Sequence, residues 1–168
     1  MREVLDRLER AGIRCWLDGG WGVDALVARQ TRPHVDLDLV LAADDIDPAV
    51  AALADLDLAV AESDLPTRLV LAGDRGRAVD IHPVRFTAEG DGLQTLQDGR
   101  VFAYPVAGFQ AVGYVDGRPS RCLSVDVQVL CHLGYPPDDT DRHDMHLLRE
   151  AFGVDLPAPY ADDSDRPV

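Results

Sequence analysis

Apolar residues recur every three or four positions in several stretches of the chain, and this spacing predicts helices. The first helix covers residues 2–11 and the last covers residues 140–152. A third follows a glycine turn at residues 18–20, and a fourth begins at Asp47, a good N-cap residue that is followed by proline. The pattern therefore predicts helices both at the ends of the chain and between the strands.

Alternating apolar and polar residues predict the strands. They cover residues 13–17, 35–42, 68–72, 77–83, 101–106, 112–115 and a return strand ending at 123. Residues 124–132 fit either a helix capped by Ser124 or an alternating strand. Together the elements predict an α/β fold, with a mixed twisted sheet flanked by helices and a small C-terminal hairpin-and-helix lobe.

Length and composition narrow the class of protein. A chain of 168 residues that is 46% hydrophobic can form one packed domain. No apolar run approaches the roughly 20 residues that span a bilayer, and the N-terminal segment does not resemble a signal peptide. Three cysteines without a CxxC pair suit a reducing compartment. We therefore expect a cytoplasmic protein with no membrane segment.

The net charge is -14, because 16 basic residues, all of them arginine, stand against 30 acidic residues. Codon bias in a GC-rich genome accounts for the preference for arginine and aspartate. The alternative interpretation is an acidic field that gathers a cationic substrate or metal ions. Under either interpretation the charge disfavours nucleic acid as a partner and favours a polycationic small molecule over a singly charged one.

Asp36 and Asp38 are the strongest candidates for chemistry. Residues two apart in a strand point to the same face and lie roughly 6.5–7 Å apart along it. Two carboxylates placed in this way repel each other unless a cation lies between them. Mg²⁺ prefers a few carboxylates together with phosphate oxygens and water. The alternative interpretation is a solvated polar face on an edge strand.

Other features strengthen the interpretation as a metal site. Gly19 and Gly20 stand at a predicted strand-to-helix turn, where glycine lets the backbone approach a phosphate and the helix N-terminus offers free N–H donors. Asp80 is an isolated acid between apolar residues of a strand, a position that requires a partner. Arg32 and His34 precede the DxD strand, where they could meet phosphates, although either could be an ordinary loop residue.

These motifs resemble a known family. The order of a Gly-Gly pair, a DxD strand and a later strand aspartate is similar to the DNA polymerase β-like nucleotidyltransferase superfamily. More closely, WLDGGWGVDALVARQTRPHVDLDLVL (residues 16–41) resembles the small antibiotic nucleotidyltransferases, the aminoglycoside 2''-adenylyltransferase and lincosamide nucleotidyltransferase group. The segments VDIHPV, CLSVDVQVLCHLGY and DRHD fit the same group, so the resemblance covers residues 2–153.

The resemblance implies Mg²⁺-dependent transfer of a nucleoside monophosphate from ATP or another NTP, with AMP from ATP favoured, to a hydroxyl of a small molecule such as an aminoglycoside or lincosamide, with release of pyrophosphate. Asp36 and Asp38 would hold Mg²⁺ against the triphosphate, and Gly19 and Gly20 would lie against its phosphates. Asp80 would complete a site for two ions, act as base on the acceptor hydroxyl, or do both.

Further residues are weaker candidates. His82 shares the face of Asp80, and Gln128, His132 and Tyr135 could face the acceptor, although a buried helix with one satisfied histidine explains the last group equally well. His143 and His146 have a spacing compatible with metal binding, but a solvated helix face is the simpler interpretation.

The sequence also suggests a division into domains and leaves several alternative functions open. We expect a catalytic core at residues 1–89, an accessory substrate lobe at 90–156 and a loosely ordered tail at 157–168. Because no large helical domain follows the core, a second subunit could complete the pocket, which makes a homodimer a hypothesis. The alternative functions are a nucleotidyltransferase acting on tRNA or another macromolecule, a non-catalytic nucleotide- or ligand-binding module, and a metal phosphoesterase.

Overall fold

A computed structural model describes residues 1–161, apart from the side chain of Arg75. Within this part of the chain, strands and helices alternate through the first half, and a strand-rich segment is followed by two helices in the second. The helices are α1 (Arg2–Arg10), α2 (Gly19–Leu26), α3 (Ile46–Leu53), α4 (Val125–Cys131) and α5 (Asp139–Phe152). The strands are β1 (Cys15–Leu17), β2 (Leu37–Ala42), β3 (Leu58–Asp64), β4 (Arg68–Gly73), β5 (Arg77–Phe86), β6 (Gly92–Thr95), β7 (Val101–Tyr104), β8 (Val112–Val115) and β9 (Arg118–Arg121).

The main sheet is mixed. Its strand order is β1-β2-β5-β4-β3, and β6 and β7 extend it from the far end of β5. Strands β2 and β5 are parallel, whereas the other pairs are antiparallel. Strands β8 and β9 form a separate ribbon. This arrangement, with helices packed against the sheet, confirms the predicted α/β fold.

The two faces of β2 and β5 have different roles. Leu39 and Ile81 lie on one face and are fully buried in a core cluster with residues of α1 and α3, such as Leu8. Because side chains alternate along a strand, Asp38 and Asp80 lie on the opposite face. Burial of each core leucine contributes about 1.5–3 kcal/mol, so the apolar face fixes which residues the other face presents.

A second group of buried residues attaches the C-terminal helices to α2. Val23 of α2 packs with Val129 of α4 and with Met145 and Leu148 of α5. Tyr160 is buried in the same cluster, and its hydroxyl donates to the His132 carbonyl at 2.7 Å. Tyr160 is thus packed against the C-terminal helices, residues 162–168 lie outside the described part of the chain, and the loosely ordered tail at 157–168 stays a prediction.

Several local predictions differ from the structure. Strand β3 was not predicted because it is an edge strand whose side chains are exposed after Leu58, and such a strand has no apolar alternation. The short strand β6 was also missed. Helix α3 begins at Ile46, so Asp45 rather than Asp47 is its N-cap, and Asp47 lies in its first turn. Residues 125–131 form a helix and not a strand.

The division into a core at 1–89 and a lobe at 90–156 stays a prediction. The sheet continues across that boundary, because Arg85 and Phe86 of β5 pair with Leu93 and Gly92 of β6. Among residues 1–161, no helix is both long and apolar enough to cross a bilayer.

Candidate active site

A cavity of about 650 Å³ opens on the polar face of β2 and β5, beside the N-terminus of α2. Parallel pairing of the two strands sets Asp38 directly opposite Asp80. One wall comes from β4, β6 and β7, and the other comes from α4, α5 and the turn between them. The cavity therefore has Asp38 in its lining, with Asp80 buried beside it, and two walls of different composition.

Asp80 is almost fully buried, and only one of its two carboxylate oxygens has a hydrogen-bond partner. Its Oδ2 accepts a hydrogen bond of 2.7 Å from Arg68 Nε, whereas Oδ1 is buried and has no hydrogen-bond partner among the described residues. Ligand atoms of Asp38, Asp80 and His82 all lie within 4.8 Å of one another. An unpartnered buried carboxylate oxygen beside a second carboxylate fits a divalent cation, because the cation would supply the missing partner.

Asp36 lies at the edge of this group. Strand β2 begins at Leu37, so the sequence interpretation that placed Asp36 within the strand is wrong, and His82 takes its place in the tight group. Asp36 still lines the cavity. Burial raises the pKa of the Asp36 carboxyl, and the charges of Asp38 and Asp80 raise it further. The three predicted carboxylates are therefore close enough to repel one another, as expected of groups that share a cation.

The glycine turn lies against the carboxylates. Asp18 is the N-cap of α2 and accepts a hydrogen bond of 2.8 Å from the Gly19 N–H. Burial raises the pKa of the Asp18 carboxyl, and Asp38 adds to the effect. Gly19 has a φ of +54°, and a Cβ atom at this position would collide with the Asp38 carboxylate. A Cβ at Gly20 would also collide, in this case with the side chains of Arg32 and His34.

We expect Gly19→Ala to lower kcat/KM by about 100-fold, because the methyl group would displace Asp38 from its position opposite Asp80. Gly12→Ala is the matched control: Gly12 also has a positive φ, +75°, but a Cβ there would meet nothing within 4 Å. Backbone strain of roughly 1–2 kcal/mol applies to both variants. Equal kinetics for the two purified variants would show that the contact with Asp38 is unimportant.

Arg32 is engaged by a buried acid. Its Nε and Nη2 donate to the two oxygens of Asp144 at 3.0 and 2.6 Å, and Asp144 is buried on α5. Arg32 lines the cavity, but its fork of donors is directed at α5. Its predicted contact with the nucleotide stays a prediction, and the contact with Asp144 was missed because the two residues are 112 positions apart.

A second buried acid holds the same loop. Asp24 of α2 accepts hydrogen bonds from the Thr31 backbone and hydroxyl and contacts His34 Nε2. The imidazole of His34 packs on Trp21, with ring centroids 4.5 Å apart. The segment that leads from the glycine turn to β2 is thus fixed from two sides.

The residues predicted to face the acceptor divide into two groups. His82, His132 and Tyr135 line the cavity, whereas Gln128 does not, since it is fully buried and its Nε2 donates to the Leu17 carbonyl at 3.3 Å. A Cβ at Gly22 would collide with Gln128, so the pair is a packing contact between α2 and α4.

The histidines and Tyr135 differ in their hydrogen bonds and in their surroundings. His132 Nδ1 donates to the Gln128 carbonyl at 2.7 Å, and Tyr135 donates to Asp141 at 3.2 Å. His143 and His146 belong to no group of potential metal ligands among residues 1–161. His82 is influenced by opposing effects: burial lowers the pKa of its imidazole, but the nearby carboxylates of Asp38, Asp18 and Asp80 raise it above its ordinary value.

One wall of the cavity was missed entirely by sequence reasoning. Arg68 could have been found, because the hairpin register sets Val70 opposite Asp80 and Arg68 lies two residues along the same face. The remaining residues carry no such signal, since they come from strands whose pairing is not local. These wall residues are Thr67, Gln94, Leu96, Arg100, Phe102 and Tyr104.

The amino-acid sequence is similar to those of antibiotic-modifying proteins. A family model for aminoglycoside-2''-adenylyltransferases matches residues 1–148. The chain is 32% identical over 146 residues to a lincosamide resistance protein of Staphylococcus haemolyticus. The matched region covers 87% of this chain and 90% of that protein. It is 27% identical over 155 residues to a 2''-aminoglycoside nucleotidyltransferase of Klebsiella pneumoniae, with 90% and 83% covered.

The fold is shared with solved structures as well. The crystal structure of a lincosamide antibiotic adenylyltransferase with lincomycin bound superimposes with a TM-score of 0.78 at 30% identity and covers 88% of this chain and 93% of that chain. This similarity confirms the predicted nucleotidyltransferase fold.

Proposed function

Because the chain belongs to the aminoglycoside-2''-adenylyltransferase family of antibiotic nucleotidyltransferases, we propose that it transfers AMP from ATP to a hydroxyl of an antibiotic, with Mg²⁺ as cofactor. The observation that carries this proposal is the pair Asp38 and Asp80, set opposite each other on parallel strands beside the N-terminus of α2. Binding of a triphosphate requires both features, because the carboxylates bind its cation and the positive end of the helix dipole stabilises its oxygens.

The residues of the site have separate roles in binding the cation, binding the phosphates and accepting the proton. Asp36, Asp38 and Asp80 would hold Mg²⁺, and the turn at Gly19 and Gly20 would lie against the phosphates. When bound, the cation supplies charge neutralisation for an in-line displacement. The acceptor oxygen forms a bond to the α-phosphorus while the bond from that phosphorus to the bridging oxygen breaks, and pyrophosphate leaves. The hydroxyl proton passes to the Asp80 carboxylate.

The charge distribution of the cavity favours a lincosamide over an aminoglycoside. A polycationic acceptor needs carboxylates beyond those that hold the metal. Besides Asp36 and Asp38, the described acids that line the cavity are Asp18, buried at the N-cap of α2, Asp144, buried and paired with Arg32, and Asp141, which accepts from the neutral Tyr135 hydroxyl and is the one left for a cation. The overall charge of -14 favoured a cationic acceptor, but the site itself offers few free anions for one.

The cavity wall formed by the β6–β7 region also favours a lincosamide over an aminoglycoside. Leu96, Phe102 and Tyr104 of the β6–β7 region present apolar and aromatic surface to the cavity. Such surface suits an acceptor with a substantial apolar part. The 32% identity to a lincosamide resistance protein agrees with this assignment.

A direct assay tests the proposal. The purified protein is incubated with Mg²⁺, ATP and either lincomycin or tobramycin, and pyrophosphate release and product mass are measured. We expect lincomycin to gain one AMP and to react with kcat/KM at least about tenfold higher than tobramycin, equivalent to about 1.4 kcal/mol of discrimination. Faster reaction of tobramycin would overturn the lincosamide assignment. ATP hydrolysis without transfer, or labelling of tRNA alone, would overturn the function.

A further inference from the structure

A chain of buried hydrogen bonds connects β7, β6 and β5 within one wall of the cavity. The Tyr104 hydroxyl donates to Gln94 Oε1 at 2.8 Å. Gln94 Nε2 donates to the Thr67 carbonyl at 2.9 Å and lies 3.3 Å from His82 Nδ1. Tyr104 and Gln94 are 3% and 5% exposed, so water does not compete freely for these bonds. Neither residue is assigned a role by the family resemblance.

The orientation of the Gln94 amide is determined by its neighbours. A backbone carbonyl can only accept hydrogen bonds, so the amide nitrogen must face Thr67. The amide oxygen then faces Tyr104, which donates to it. A flipped amide would direct its oxygen at the Thr67 carbonyl oxygen and would leave buried groups unsatisfied, at a cost of about 1–3 kcal/mol for each group. The second N–H of Gln94 is therefore directed at His82.

This orientation decides which nitrogen of His82 carries the proton. A neutral imidazole has one donor and one acceptor, and a proton on Nδ1 would face the Gln94 N–H. In the neutral imidazole, Nδ1 is therefore the acceptor and Nε2 the donor. His82 Nε2 lies 3.7 Å from Asp38 Oδ1 and 4.0 Å from Asp80 Oδ1, which is too far for direct hydrogen bonds but places the N–H at the mouth of the carboxylate pair.

We propose that Gln94 is a positioning residue that holds His82 in the tautomer with the proton on Nε2, so that His82 donates a hydrogen bond at the reacting centre instead of ligating the metal. The role in catalysis rests on the proposed function. His82 is near enough to the carboxylates to serve as a metal ligand, but a protonated Nε2 has no lone pair to offer. The tautomer therefore preserves an oxygen-only ligand set, which Mg²⁺ prefers.

The donor would act where negative charge develops. The Nε2–H faces the Asp38 and Asp80 carboxylates, beside which the transferred phosphoryl group would lie in the proposed reaction. A fixed donor in a partly buried site stabilises such charge without reorganisation during the reaction. Gln94 and Tyr104 would thus act on the reaction through His82, in addition to lining the wall of the cavity.

The tautomer can be measured directly in the whole protein. Long-range proton–nitrogen NMR correlations distinguish the two nitrogens of each imidazole, and the chain has only five histidines. Comparison with His82→Gln assigns the His82 signals. We expect His82 at mildly alkaline pH to show a protonated Nε2 and an unprotonated Nδ1. A proton on Nδ1, alone or together with one on Nε2, would overturn the proposal.

A variant that reverses the hydrogen bond gives a second test. In Gln94→Glu the carboxylate would accept a proton from Nδ1 and would leave the Nε2 lone pair free to ligate. We expect Co²⁺, followed by its visible absorption, to bind at least about tenfold more tightly than to the natural chain. Gln110→Glu, at an exposed position outside the cavity, is the matched control. Equal Co²⁺ affinity in the natural chain and both variants would contradict the proposal.

Kinetics separate the positioning role from a purely structural one. We expect Tyr104→Phe and Gln94→Leu to lower kcat by about tenfold while KM for ATP changes by less than about twofold. A change in KM alone would contradict a role in the chemical step. If no antibiotic is modified even by the natural chain, the proposed function fails, whereas the NMR and Co²⁺ measurements still decide the tautomer.

Discussion

Asp38→Asn is expected to lower the rate of nucleotidyl transfer by at least about 10³-fold, equivalent to about 4 kcal/mol of transition-state stabilisation. Asparagine keeps the size of the side chain but removes the charge that faces Asp80 across β2 and β5. The affinity for Mg²⁺ should fall together with the rate. Pyrophosphate release under saturating ATP, together with calorimetric titration of Mg²⁺, measures both effects.

The same substitution should not unfold the protein. The Asp38 side chain is 24% exposed, and its charge raises the pKa of Asp36 by repulsion, so its removal relieves strain between acids. We therefore expect an unchanged or slightly higher free energy of unfolding. Asp44→Asn, an exposed acid outside the cavity, is the matched control and should be fully active. Turnover by Asp38→Asn at the rate of this control would refute the metal assignment.

Arg32→Met is expected to lower the free energy of unfolding by about 2–4 kcal/mol, because it leaves the carboxylate of Asp144 buried without its cation. The Asp144 side chain is only 2% exposed, whereas that of Arg32 is 23% exposed, and water near the guanidinium reduces the loss below the upper limit for a fully buried pair. Urea denaturation followed by circular dichroism measures the change.

Two controls define the origin of this effect. The double variant Arg32→Met/Asp144→Leu should recover most of the loss, since replacing both partners with apolar groups removes the unpaired charge. Arg7→Met should change stability by less than about 0.5 kcal/mol, because its partner Asp55 is 81% exposed. If Arg32→Met instead retained full stability and raised KM for ATP, Arg32 would serve the nucleotide, as the sequence suggested.

The outcome of the sequence predictions depended on how local their signals were. The carboxylates and glycines lie in short motifs, and the alternation of β2 and β5 indicated which side chains share a face. Edge strand β3 and short strand β6 have no comparable pattern, and both were missed. Gln128 shows the limit of spacing arguments, because a helical turn puts it beside His132 but cannot tell which of the two faces a cavity.

The sequence alone determined the class of fold, the family resemblance, the glycine turn and the identity of the aspartates. These depend on periodicity and on motifs within about 25 residues, where the chain geometry is nearly fixed by local rules. Only the tertiary structure decided that Asp80 lies opposite Asp38, that Arg32 pairs with Asp144, and that Gln94 contacts His82. Each of these contacts joins separate strands or helices, and packing of the whole apolar core sets their relative positions.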